Sequence, residues 1–158
     1  MPLNHLEPCH ILDAGQRARL GFDRGPQPAP DEGSGDSQTC SFRNTHAKVG
    51  ARLALITTVG MTVWTNDTAQ VAATPVVIAG FPALVVKTPA LNLACTVEVD
   101  VADGQHLDIL YRDDGARPPA PLDQLCAGAQ RVAHASVAAL ARMSASSTVP
   151  TSPTQPIG

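Results

Sequence analysis

Four cysteines, Cys9, Cys40, Cys95 and Cys126, carry the least ambiguous chemistry in this sequence. Structural zinc draws on closely spaced pairs such as C-x-x-C, and no two of these cysteines lie within four residues of each other. That spacing speaks against a metal and leaves two readings: two disulfides in an oxidising compartment, or four reduced thiols in a reducing one. Four cysteines allow three pairings, and sequence alone does not choose among them. Their placement favours Cys9 with Cys40 and Cys95 with Cys126, because each bridge would tie a terminal helix to a strand. Both separations are 31 residues, 40 minus 9 and 126 minus 95. In the chain-entropy account each such crosslink stabilises the fold by roughly 3 to 4 kcal/mol.

The other reactive side chains are scattered. His5, His10, His46, His106 and His134 share no i, i+4 or H-x-H spacing, so no ligand pair for a metal is expected. A hydrolase needs a nucleophile, a base and an orienting acid on rigid supports. Ser34 sits in the acidic stretch around Gly33-Ser34-Gly35, which is not a G-x-S-x-G elbow, and Ser41 is isolated. The thiol of Cys9, beside His10, would be consumed by a disulfide. No Gly-rich phosphate loop occurs. The expectation is therefore a chain with no catalytic, cofactor or metal residues. The enzymatic alternative is a site assembled in three dimensions around His106 and Asp108. Trp64, the single tryptophan, stands beside Thr65-Asn66-Asp67-Thr68 as a contact for a ligand or partner, or simply as the cap of a small core.

These residues must be positioned by elements legible from periodicity. Cys9 to Gly21 reads as a short helix, with Asp13 as N-cap and Gly21 as a left-handed stop. Gly25 to Gln38 holds three prolines, three glycines and three acids, and reads as an exposed loop. Cys40 to Thr45 and Ala51 to Val59 are strands, the second alternating Leu53, Leu55, Thr57 and Val59. Met61 to Ala73, including Trp64, reads as a loop with a helical turn. Val76 to Ile78 and Ala83 to Lys87 read as a strand bent by Gly80-Phe81-Pro82.

Ala94 to Val101 and His106 to Tyr111 form the strongest hairpin signal. Parity puts Cys95, Val97, Val99 and Val101 on one face with Leu107, Ile109 and Tyr111, Val101 opposite Leu107, and requires an odd-length loop. Thr96, Glu98, Asp100, His106 and Asp108 then occupy a face expected to be solvated. After Arg117-Pro118-Pro119-Ala120-Pro121 comes a helix over Leu122 to Met143, with an apolar stripe of Leu125, Ala129, Val132, Ala133, Val137, Leu140 and Ala141. Gly128 weakens it only slightly. The whole is an α+β domain over residues 1–143: an antiparallel sheet, a short N-terminal helix, a long C-terminal helix on one face and two disulfides. Residues 144–158, rich in Ser, Thr and Pro, read as a flexible tail.

Composition narrows the function classes. Of the 158 residues 44% are hydrophobic and 16% charged, which suits a folded domain with one core. A net charge of −3 and the absence of a basic run exclude an electrostatic grip on nucleic acid. No apolar stretch approaches the ~20 residues of a membrane-spanning helix. Met1 to Glu7 shows neither a basic n-region nor an apolar h-region. Either the chain is cytosolic, with reduced cysteines, or Met1 replaces a removed export signal.

Pro8-Cys9, Cys40-Ser41-Phe42, Gly80-Phe81-Pro82-Ala83, Cys95-Thr96-Val97, and Cys126 followed by Ala129, Val132, Ala133 and Leu140 occur in an order that resembles an actinobacterial family of exported lipoproteins of unknown function, DUF3558. The likeness runs from about Glu7 to Met143. It strengthens the disulfide reading and implies an extracytoplasmic place in the cell envelope, with no catalytic residues to transfer. Taken with the cysteines and the lack of a catalytic constellation, the expected role is a binding domain with a protein or small ligand as partner. Phe42 stands where the family has Trp, a conservative change for packing. Leu6-Glu7-Pro8 is not a lipobox, so Cys9 is not the lipidated residue and any lipid anchor lies upstream of Met1.

Overall fold

The β-branched and leucine-rich middle of the chain pairs into one sheet. The computed structural model describes residues 2–30, 38–57, 72–87 and 93–148. Strands β1 (Arg24–Pro30), β2 (Gln38–Asn44), β3 (Val49–Ile56), β4 (Ala72–Ile78), β5 (Phe81–Lys87), β6 (Ala94–Ala102) and β7 (Gln105–Asp113) form a seven-stranded antiparallel sheet in the order β1-β2-β3-β7-β6-β5-β4. A 3-10 turn (Pro8–His10), helix α1 (Ala14–Arg19) and helix α2 (Leu122–Thr148) complete it.

Register decides which side chains meet. Cys40, Leu53, Ile109, Val97 and Val85 form one cross-strand row, and Phe42, Ala51, Tyr111 and Cys95 the next. These rows make one apolar face, which both terminal segments cover. Helix α2 lies over β6 and β7, and the 3-10 turn lies over β1 to β3. The α2 stripe is buried at Leu125, Ala129, Val132, Ala133, Val137 and Leu140, whereas Ala141 is exposed and Ser136 and Ala139 are buried instead. Phe22 stacks on Phe42 with ring centroids 5.3 Å apart. At the far end the Leu3 amide donates to Gln105 Oε1 (2.8 Å), and Gln105 Nε2 donates to Asn4 Oδ1 (2.8 Å), tying the N-terminal residues to the β6–β7 turn.

Several elements differ from the sequence reading, each for a local physical reason. The single N-terminal helix is split at Asp13, whose carboxylate accepts from the Gln16 amide (2.8 Å) while Gln16 Oε1 accepts from the Asp13 amide (3.0 Å). That reciprocal capping box starts a new helix at Ala14, and Gly21, at φ +85°, ends it as expected. Residues 25–30, expected to be loop, belong to strand β1. Pro26, Pro28 and Pro30 supply no ladder donor, which an edge strand tolerates because it needs donors on one side only. Gly80 does not bend one strand; Ala79 (φ +50°) and Gly80 (φ +89°) close a two-residue hairpin turn between β4 and β5. The β6–β7 turn is also two residues, Asp103 and Gly104. Val99, not Val101, faces Leu107, because the register shifts between Asp100 and Ala102 and Val101 is the extra residue. Helix α2 continues past Met143 to Thr148. Val59, Trp64 and most of the Met61 to Ala73 segment, Ser34, and residues 149–158 lie outside the described residues.

Candidate functional site

The sulfur chemistry is built by the two segments that cross the apolar face. Parity turns Cys40 of β2 toward that face, and the 3-10 turn brings Cys9 above it; the two are bonded, with Cα atoms 5.0 Å apart. Cys95 of β6 lies opposite Tyr111, and Cys126 enters from the first turns of α2 to form the second bond, also with a Cα separation of 5.0 Å. No described cysteine is free. Both pairings are those favoured by placement along the chain.

The opposite face of the sheet is solvated at Asp100, which is exposed, and partly at Thr96, but not at its other three polar positions. Glu98 is 0%, His106 2% and Asp108 6% exposed. The strand order explains this: Leu84 flanks Glu98 on β5, Ala54 flanks Asp108 on β3 and Ile56 flanks His106, all buried and apolar. The missed signal was the lack of alternation in Leu53-Ala54-Leu55-Ile56 and Leu84-Val85-Val86, the mark of strands buried on both faces.

Glu98 and Asp108 are direct cross-strand partners. Burial pushes the Glu98 carboxyl well above its ordinary value of 4.5, the neighbouring Asp108 carboxyl pushes it further, and the Arg52 charge pulls weakly the other way. Among the described residues, no N–H or O–H group donates to either Glu98 oxygen, and a hydrogen bond with Asp108 also pushes the Glu98 carboxyl up. His106 Nε2 lies 3.9 Å from Glu98 Oε2, beyond hydrogen-bond reach. The geometry thus gathers the His106 and Asp108 singled out in sequence and adds Glu98, but seals all three from solvent.

A raised folded-state pKa means that Glu98 favours folding fully below its unfolded value and loses that contribution as pH rises through the folded value. Glu98→Gln is therefore expected to raise the thermal midpoint at pH 8 and to match wild type at pH 4, as measured by circular dichroism melts across that range.

The remaining candidates stay apart. His5 and His46 are exposed in turns, His134 is exposed on α2, and His10 Nδ1 contacts Glu7 Oε2 at 2.9 Å on the surface. Among the described residues, no group of three or more His, Cys, Asp or Glu is placed to hold a metal. Concavities formed by described residues include the following two. One, of about 160 Å³, lies beside Cys9, Pro8 and Pro28. The other is an open groove of about 460 Å³ between α1 and α2, rimmed by Arg19, His134 and Arg142. Arg19 and Arg142 carried no signal in the sequence, because only the packing of α1 on α2 brings them to one place.

No helix among the described residues is long and apolar enough to cross a membrane. No curated protein and no solved structure matches the chain. A family model does: its matched span, residues 1–139, takes in both disulfides, all seven strands and most of α2, and the chain belongs to the family described as protein of unknown function (DUF3558).

Proposed function

We propose that this is a non-catalytic, extracytoplasmic domain of the cell envelope, of lipoprotein type, that holds a protein or small ligand on its surface. The observation that supports it is the pair of disulfides, which fasten both terminal segments to one sheet face. Such bonds persist in oxidising compartments and are rare where thiols are kept reduced. The enzymatic alternative around His106 and Asp108 is weakened by their burial, because a catalytic acid or base must reach the proton it transfers.

Fractionation of the native host, followed by intact-mass measurement without reduction, tests this reading. The expected result is protein in the envelope or medium whose mass lies below the fully reduced value by the loss of four hydrogens, one pair for each bond. Recovery from the cytosol with free thiols overturns it.

A further inference from the structure

The groove between α1 and α2 is explained neither by the disulfides nor by the buried acids. Its rim carries two guanidinia, Arg19 on the last turn of α1 and Arg142 on α2, and the imidazole of His134 on α2. Its floor is apolar and shallow, from Leu20, Ala135 and Ala138. His134 and Arg142 are eight residues apart, about 12 Å along the helix axis. Ala138, between them, carries no side chain long enough to block the space.

The walls are held in place. Gln16, buried beneath α1, donates from Nε2 to the Ala135 carbonyl (3.2 Å) while its Oε1 closes the capping box, so the same side chain starts the helix and docks it on α2.

Charge at this groove runs against the rest of the molecule. Acids outnumber Lys and Arg 14 to 11 over the chain. Elsewhere Arg43 and Arg112 converge on Asp114, and Lys87 reaches Asp123. Among the described residues no carboxylate lines the groove and none pairs with Arg19 or Arg142.

We propose that the groove binds a phosphoryl group, as a phosphomonoester or phosphodiester, with the apolar part of the ligand on Leu20, Ala135 and Ala138. The two oxygens of a carboxylate are satisfied by a single bidentate guanidinium. Arg19 on one wall, with Arg142 or His134 on the other, instead offers separate donors to the several oxygens of a phosphoryl group. The assignment rests on the reading of the chain as a binding domain and names the ligand chemistry of that domain.

The test is a titration followed by amide NMR shifts, with inorganic phosphate in one arm and vesicles of phosphatidylglycerol in the other. Chloride at matched ionic strength and phosphatidylcholine vesicles are the controls. The expected result is saturable shifts centred on Arg19, His134, Ala138 and Arg142. Binding should be weakened about tenfold or more by R19E/R142E and left unchanged by R24E on the exposed edge strand. R19K/R142K should retain part of the affinity, since charge is kept and the planar fork lost. Saturation by phosphate marks a soluble ligand; saturation by the vesicles alone marks a lipid headgroup; either supports the site. Shifts spread over all surface cations, absence of saturation in both arms, or equal binding by R19E/R142E overturns it. The residues changed are exposed, and an unaltered melt confirms that the variants fold. An exported, disulfide-bonded protein that fails this titration loses the site alone. A cytosolic protein that passes it loses the compartment alone.

Discussion

Replacing Cys95 and Cys126 together by alanine is expected to lower the free energy of unfolding by about 3.7 kcal/mol, and replacing Cys9 and Cys40 by a similar amount. Each bond closes a separation of 31 residues, and in the chain-entropy account the stabilisation comes from states removed from the unfolded ensemble. The two loops, 9–40 and 95–126, do not overlap. Their effects should then add to within about 0.5 kcal/mol, as for independent sites. The sum, about 7 kcal/mol, is of the same order as the ~5 to 15 kcal/mol of a typical domain. Reduction of both bonds should therefore leave little or no cooperative transition near physiological temperature. Urea unfolding of the two double variants and of the reduced wild type, followed by near-ultraviolet circular dichroism, measures all three. An unchanged midpoint after full reduction would show that the helix-covered face holds α2 and the N-terminal turn without covalent help. Alanine is the replacement of choice because Cys40, Cys95 and Cys126 are buried and a serine hydroxyl would need a partner there.

The second large effect is expected at Gly128, and its sign is opposite to the one helix propensity gives. In an exposed helix interior, alanine for glycine stabilises by about 1 kcal/mol. Here a Cβ at position 128 would lie 2.6 Å from Cζ and 2.7 Å from Cδ1 of Tyr111, well inside contact distance. Tyr111 cannot retreat easily, because it sits buried between Ala51 of β3 and Cys95 of β6, in the row that carries the second disulfide. Gly128→Ala must therefore lift α2 or turn the ring, within two residues of the point where Cys126 pins the helix. Overpacking of this kind costs about 1 to 3 kcal/mol. The net expectation, after the propensity gain is subtracted, is a loss of about 1 kcal/mol, relieved when Tyr111→Leu is added in the same chain. A double-mutant cycle by urea unfolding gives the coupling directly; a gain in stability from Gly128→Ala alone would sink the argument.

Periodicity and residue type were sufficient for the elements that make their contacts locally. The α2 stripe, the strands around Leu53 and Val97, the Asp13 cap and the Gly21 stop depend on 3.6- or 2-residue repeats and on the chemistry of one or two neighbours, all present in the linear chain. The pairing of the cysteines was legible for a related reason, since each had one partner at the junction of a terminal segment with a strand. Tertiary structure alone decided the rest. Proline-rich β1 is a strand because it lies at an edge, and position in a sheet cannot be read from its own residues. Glu98, His106 and Asp108 alternate like a wet face and are buried because β3 and β5 set apolar side chains beside them. Gly128 looks like a weak point of a helix until the Tyr111 ring, 17 positions earlier, is placed under it. Arg19 and Arg142 become one rim only when Gln16 docks α1 on α2. In each case the deciding neighbour is remote along the chain, so the energy that fixes the outcome exists only once the sheet has closed.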